Sequence, residues 1–219
     1  MDLSSTWETW LKVTTAPNDA TFEAERQKPQ ATLTTALIWM LIAGVVAGVI
    51  GFLSSLVFAS AMRGIVPEML AQSELPPEAR AQIQMLLNTG IFGAAGAANL
   101  ASIITVPLFF LIGVGIYHLI AKLLGGTGEF GRYAYLNAAY AAPLGILVTL
   151  LSLVPIVNCL TIVVSIYQLV LAYFATKVEH QLTSGKAILV ILIPILVVVL
   201  LLLCFMAAIF SLIVQVSNN

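Results

Sequence analysis

Apolar positions in this chain come in runs too long for a soluble fold. Four stretches, 29–62, 81–121, 133–176 and 187–219, carry no charged residue at all. A helix rises about 1.5 Å per residue, so about 20 residues cross roughly 30 Å of hydrocarbon. The first run predicts one span, 34–58. In the second run, 81–99 is mixed, with Gln82, Gln84, Asn88 and many small residues, whereas 100–123 is strongly apolar and predicts the second span. The third run is long enough for two spans, 134–154 and 157–176, with turn chemistry at Pro155-Ile156-Val157-Asn158 between them. The last run predicts a fifth, 187–214, bent early by Pro194. No run alternates in the manner of a membrane strand. The expected fold is therefore all-α, a polytopic bundle of five transmembrane helices.

Composition agrees with this reading and removes other classes. Apolar residues make up 60% of the 219 positions and charged residues 9%, against about 25% in a soluble domain. The nine basic and ten acidic residues fall in four short windows, 1–28, 63–80, 122–132 and 177–186. A net charge of −1 gives no footprint for nucleic acid. Cys159 and Cys204 sit far apart inside apolar runs and read as packing residues. Thirty mostly polar residues precede a first apolar run too long for a signal peptide. With the N-terminus cytoplasmic, Lys12, Arg26, Lys28, Lys122, Arg132, Lys177 and Lys186 lie inside and only Arg63 and Arg80 outside. The positive-inside rule thus places the N-terminus in the cytoplasm and the C-terminus, after five spans, outside. The domain reading is a cytoplasmic N-terminal amphipathic segment, 1–33, and a membrane domain, 34–214, with an outer amphipathic segment over 59–99.

The polar pieces have their own patterns. Over 3–15, with Ser4 or Ser5 as cap, Leu3, Trp7, Trp10, Leu11 and Thr14 share a helical face. Trp7 and Trp10 suit a headgroup boundary, or else dock on the bundle. Asn18-Asp19-Ala20-Thr21 opens a second short helix, 20–28, that carries Phe22, expected with Trp7 and Trp10 as a third interfacial anchor. Pro76-Pro77-Glu78 starts a helix lying on the outer surface, with Ala79, Ile83, Leu86 and Leu87 as its apolar stripe. Gly44, Gly48 and Gly51 put small residues on one face of span one and permit close helix approach, within the chain or between copies.

The order and spacing of several motifs resemble the Yip family of membrane proteins (Ypt-interacting proteins), in its short prokaryotic form. Trp7, Trp10, Pro17 and Phe22 precede span one. Span two ends in His118-Leu119-Ile120-Ala121-Lys122-Leu123-Leu124-Gly125-Gly126-Thr127-Gly128-Glu129-Phe130. Tyr135, then Tyr140-Ala141-Ala142-Pro143, open span three, followed by Pro155, Tyr167 and the segment Lys177 to Lys186 with His180. The resemblance implies five spans with a cytoplasmic N-terminus, and location in the cell membrane of a prokaryote. Small-GTPase binding follows only by analogy with eukaryotic relatives, whose long N-terminal region this chain lacks.

Candidate chemistry is sparse. No charge lies between the caps of any expected span, and His118 is the single histidine within one; His180 and Glu179 read as loop residues. Two histidines without an acidic cluster make no zinc site, and no nucleophile stands beside a base. No cofactor is expected, and no enzyme. The loop Gly125, Gly126, Gly128 is neither a Walker loop nor a dinucleotide fingerprint. It reads as a tight helix connection, or as an anion nest for a lipid phosphate flanked by Lys122, Phe130 and Arg132. The leading expectation is a non-enzymatic organiser of partners or lipids in the bilayer, self-associating or bound to another membrane protein. The alternative is a transporter, channel or lipid-moving protein, based on Pro107, Pro143 and Pro194 inside spans.

Overall fold

The computed structural model describes residues 3–88, 91–154 and 156–217. Among the described residues every regular element is helical. In chain order they are α1 (Leu3–Thr15), α2 (Asp19–Arg26), α3 (Leu33–Ala71), α4 (Pro77–Asn88), α5 (Ile91–Leu100), α6 (Ser102–Leu123), α7 (Phe130–Leu151), a 3₁₀ turn (Val157–Cys159), α8 (Leu160–His180) and α9 (Ser184–Ser217). Five of them, α3, α6, α7, α8 with its 3₁₀ lead-in, and α9, are long and apolar enough to cross a membrane.

The helix ends depart from the expected spans in instructive places. α3 continues past Phe58 to Ala71, through Arg63 and Pro67. Ala59, Ala61 and Met62 are good helix formers, so loss of hydrophobicity does not end the helix. α8 continues past Thr176 to His180 and carries Lys177 and Glu179 inside a helix. The expectation that Glu179 and His180 lie in a loop is thereby corrected. α1 begins at Leu3, ahead of Ser4 and Ser5, which were expected to cap it. Asn18 does cap α2, its side chain accepting from the Thr21 N–H at 2.8 Å. Pro155 lies outside the described residues.

The chain divides into two compact units. Unit 2, residues 34–111 and 138–168, contains the small-residue face of α3. A Cβ at Gly44 would stand 2.7 Å from the Ser102 carbonyl oxygen, and one at Gly48 3.2 Å from that of Asn99. At Gly51 the nearest atoms belong to the Asn99 side chain, 2.9 Å away. The close approach is fastened by hydrogen bonds: Ser102 Oγ donates to Gly44 O at 3.0 Å, and Asn99 Nδ2 donates to Gly51 O and Ser55 Oγ. The three glycines thus serve packing within the chain. In the same unit α4 follows a turn closed by Arg80, whose guanidinium donates to Ser73 O and Leu75 O. Met85 and Leu86 on α4 are exposed. Tyr140 is buried, and Pro143 and Tyr167 are partly so.

Unit 1, residues 1–33, 112–137 and 169–219, holds the N-terminal helices and the connection from α6 to α7. Its centre is the start of α7, where Tyr133, Ala134, Tyr135 and Leu136 have no exposed surface. A second apolar cluster joins Ala121, Leu182, Ala187 and Val190, with Tyr117, Ile120, Leu124 and Tyr173 around it.

Candidate functional site

Unit 1 brings together the pieces that the sequence scatters: the N-terminal segment, the glycine loop and the end of α8. The loop follows from chain-reversal chemistry. α6 ends at Leu123, and Gly125 takes φ +91°, a left-handed conformation that glycine adopts without a side-chain clash. This lets the Gly126 N–H reach Ala121 O at 2.8 Å and the Gly125 N–H reach Lys122 O at 3.0 Å, closing the helix end. Lys186 at the start of α9 donates to Leu124 O at 2.8 Å, a cation on the carbonyl end of α6. The Thr127 N–H then donates to His180 O at 3.1 Å, and the Glu129 N–H to Glu179 Oε1 at 2.7 Å. Four loop amides are therefore committed within the chain. The anion-nest alternative loses those donors, and the glycines are accounted for by contact. A Cβ at Gly126 would stand 2.8 Å from Ala121 O and 2.9 Å from His180 Cβ, and one at Gly128 2.7 Å from Glu179 O.

The end of α8 is the loop's partner. Gln181 adopts φ +53°, and the Leu182 N–H reaches back to Lys177 O at 3.1 Å. This is a Schellman-type ending made with glutamine where glycine is usual. It aims Glu179 and His180 inward, where both are buried. Glu179 Oε1 accepts from the Glu129 amide and from Arg132 Nε at 3.3 Å, while Arg132 Nη1 pairs with Glu129 Oε2 at 2.8 Å. The His180 ring lies within an aromatic group, meeting Tyr133 edge-on and His118 at a tilt. Its centroid is 4.9 Å from His118 and 4.8 Å from Tyr133, and Phe130 meets His118 edge-on at 5.4 Å. Tyr133 and Thr176 share a hydroxyl–hydroxyl hydrogen bond of 2.8 Å. Neither ring nitrogen of His180, nor Nδ1 of His118, nor Oε2 of Glu179 has a hydrogen-bond partner among the described residues.

The N-terminal segment is tied to the same unit through a second buried carboxylate. Glu25 has no exposed surface; its Oε2 pairs with Lys28 at 2.8 Å and accepts from Thr9 at 3.1 Å and Tyr135 at 3.3 Å. Lys28 also donates to Thr9 Oγ1 at 3.0 Å, so α1, α2 and α7 meet at one carboxylate. Phe22 is fully buried and stacks near Phe174, with centroids 6.0 Å apart. Trp10 is buried beside Thr9 and Val13, whereas Trp7 is 59% exposed. Of the three expected interfacial anchors, only Trp7 faces outward; Trp10 and Phe22 dock into the protein. The reason is the helix's register: Thr9, Trp10 and Val13 define the covered face, and Trp7 lies at its edge. On the outer side of α2, the Arg26 guanidinium forks onto Glu23 at 3.0 and 2.7 Å. That bond holds the Glu23 carboxyl below the usual carboxylate range and raises Arg26 in turn. Asp19 pairs with Lys177 across a shallow open cleft of about 430 Å³, also lined by Glu23, Gln181 and Leu182.

Among the described residues no group of three or more His, Cys, Asp or Glu could hold a metal ion. The hydroxyls of Tyr133 and Thr176 bond to each other. Sequence reasoning missed Thr9, Glu25, Tyr133 and Thr176, and it named Glu179 but placed it in a loop. The usable signal was the isolated carboxylates Glu25 and Glu179 beside apolar helix, with Lys28 and Arg132 as counter-charges.

A chain of five apolar helices with this buried polar seam is a multi-pass all-α membrane protein. A family model described as the Yip1 domain matches residues 11–206, nearly the whole chain, and the protein belongs to that family. The family is not a known enzyme family. No curated protein and no solved structure matches the chain.

Proposed function

We propose that the protein is a non-enzymatic organiser of a prokaryotic cell membrane, with its N-terminal helices in the cytoplasm as a docking platform for a second membrane protein or another copy. One observation carries this reading. α1 and α2 are held rigidly by Glu25 and Phe22, yet their outer side offers Trp7 and the Asp19–Lys177 cleft. Holding a short polar segment in one conformation costs chain entropy, and a presented surface is a physical reason to meet that cost. Family membership and the seven basic residues of unit 1 support the cytoplasmic placement. Small-GTPase binding has only the analogy with relatives behind it.

Native mass spectrometry after gentle extraction from the cell's own membrane tests the proposal. A defined oligomer or one stoichiometric partner, lost on Trp7→Ala with Asp19→Ala, supports it. A bare monomer under all extraction conditions overturns it. A second reading, movement of a solute or lipid, is favoured by Pro107, Pro143 and Pro194 inside α6, α7 and α9. Flux across proteoliposomes above the protein-free rate would support that reading instead.

A further inference from the structure

The ion pairs of unit 1 separate its cations into two groups. Arg26, Lys28, Arg132 and Lys177 each have a carboxylate within 4 Å. Lys12, on α1, and Lys122 and Lys186 meet none among the described residues, and all three are exposed. Of these, Lys122 and Lys186 are both placed at the C-terminal end of α6. Lys122 is in the last turn of α6, and Lys186 Nζ lies 2.8 Å from Leu124 O, just past that turn. The bond to Leu124 uses one of three ammonium donors and leaves two for another acceptor. Beside them the surface is apolar. Leu119 and Leu123 on α6 are 64% and 86% exposed, and Ile188 and Leu189 on α9 are also exposed. In a bilayer, such side chains face acyl tails.

Two unpaired ammonium groups at the end of an apolar stripe match an amphiphile with an anionic head. We propose that Lys122 and Lys186 form a site for the phosphate of an anionic phospholipid, whose acyl chains lie along Leu119, Leu123, Ile188 and Leu189. The amides of Gly125, Gly126, Thr127 and Glu129 and the guanidinium of Arg132 are bonded within the chain, so the two lysine side chains carry the recognition. Near a membrane surface each lysine contributes about 1 kcal/mol toward anionic lipid, about fivefold in affinity. The site deepens the organiser reading and rests on it for the lipid's role: a lipid bound here would be part of what the protein organises.

The test uses the full-length protein in nanodiscs of equimolar dioleoylphosphatidylglycerol and dioleoylphosphatidylcholine. Lipids retained after limited delipidation are counted by native mass spectrometry. The wild type should retain phosphatidylglycerol preferentially, with about a fivefold loss in Lys122→Gln or Lys186→Gln and about 25-fold in the double variant. Lys177→Gln, which removes a cation already paired with Asp19, should leave the preference intact. Equal retention of the two lipids by the wild type, or an unchanged preference in the double variant, would overturn the site. Loss in Lys177→Gln as large as in Lys122→Gln would reduce the effect to net charge and overturn it too. Inorganic phosphate added at millimolar level should not displace the lipid; full displacement would identify a free-anion site instead. The wild-type comparison stands even if a variant fails to fold. The same spectra report assembly, so a lipid-selective monomer would count against the organiser reading alone, and an assembled but lipid-blind protein against the site alone.

Discussion

Replacing Gly126 with alanine adds a single methyl group where the structure has no room for it. The new carbon would lie 2.8 Å from the Ala121 carbonyl oxygen and 2.9 Å from both Cβ and Nδ1 of His180. The first contact is with backbone, so no side-chain rotation relieves it. Overpacking of this kind costs about 1–3 kcal/mol. The shift that relieves it also stretches the Gly126 and Thr127 amide bonds, each contributing about 1 kcal/mol. The expected loss is about 2–4 kcal/mol. For a chain of this size that corresponds to a fall in Tm of roughly 4–16 °C. The control is Gly145→Ala in α7, where an added Cβ meets nothing within 4 Å. In a helix interior, that change stabilises by about 0.5–1 kcal/mol. Thermal unfolding in detergent, followed by tryptophan fluorescence, reads both variants. Opposite signs are required. A Gly126→Ala protein as stable as Gly145→Ala would refute the tight loop-to-α8 contact.

Other consequences follow from the same geometry. Glu25→Gln removes the charge that Lys28, Thr9 and Tyr135 share; it should weaken docking of α1 and α2 by about 2 kcal/mol, seen as faster tryptic cleavage after Lys12 and Arg26, with unchanged cleavage arguing against the anchor. Gln181→Gly removes a left-handed glutamine and should stabilise by about 0.5–1 kcal/mol, read as a higher Tm; a lower Tm would mean that the glutamine side chain matters more than its backbone. Because Arg26 depresses Glu23, that pair's contribution to α2 is fully present above the ordinary glutamate range and is lost as pH falls from there through the lowered Glu23 value. Cleavage of the segment by an acid-active protease should therefore rise in that window, and Glu23→Gln should flatten the rise. Gly44→Leu would drive a side chain into the Ser102 backbone and should cost upwards of about 3 kcal/mol in the monomer itself, measured by chemical unfolding; intact stability with altered oligomer state would move that face to an intermolecular role.

The membrane helices were legible because hydrocarbon imposes a length and an exclusion of charge that composition alone expresses. Their ends were not. α8 runs on to His180 because Glu179 finds the Glu129 amide and Arg132, partners about 50 positions away that no local pattern reveals. Pairing of Trp7 and Trp10 on one face was readable, but which of them the protein covers depends on Glu25 and Tyr135 closing over α1. The glycines of span one announced a close approach without naming the neighbour; Asn99 and Ser102 proved to be in the same chain. The loop glycines admitted two explanations, and only the destinations of the amides separate them.

The central claim is that the glycine loop and the end of α8, about 50 positions apart, form one bonded structure. A double-mutant cycle on Arg132→Gln and Glu179→Gln tests it most directly, with unfolding free energies measured for both single variants and the double. The account predicts a coupling of about 1–2 kcal/mol, inside the range of roughly 0.5–3 kcal/mol for groups in direct contact. Additivity of the two substitutions to within about 0.3 kcal/mol would contradict it.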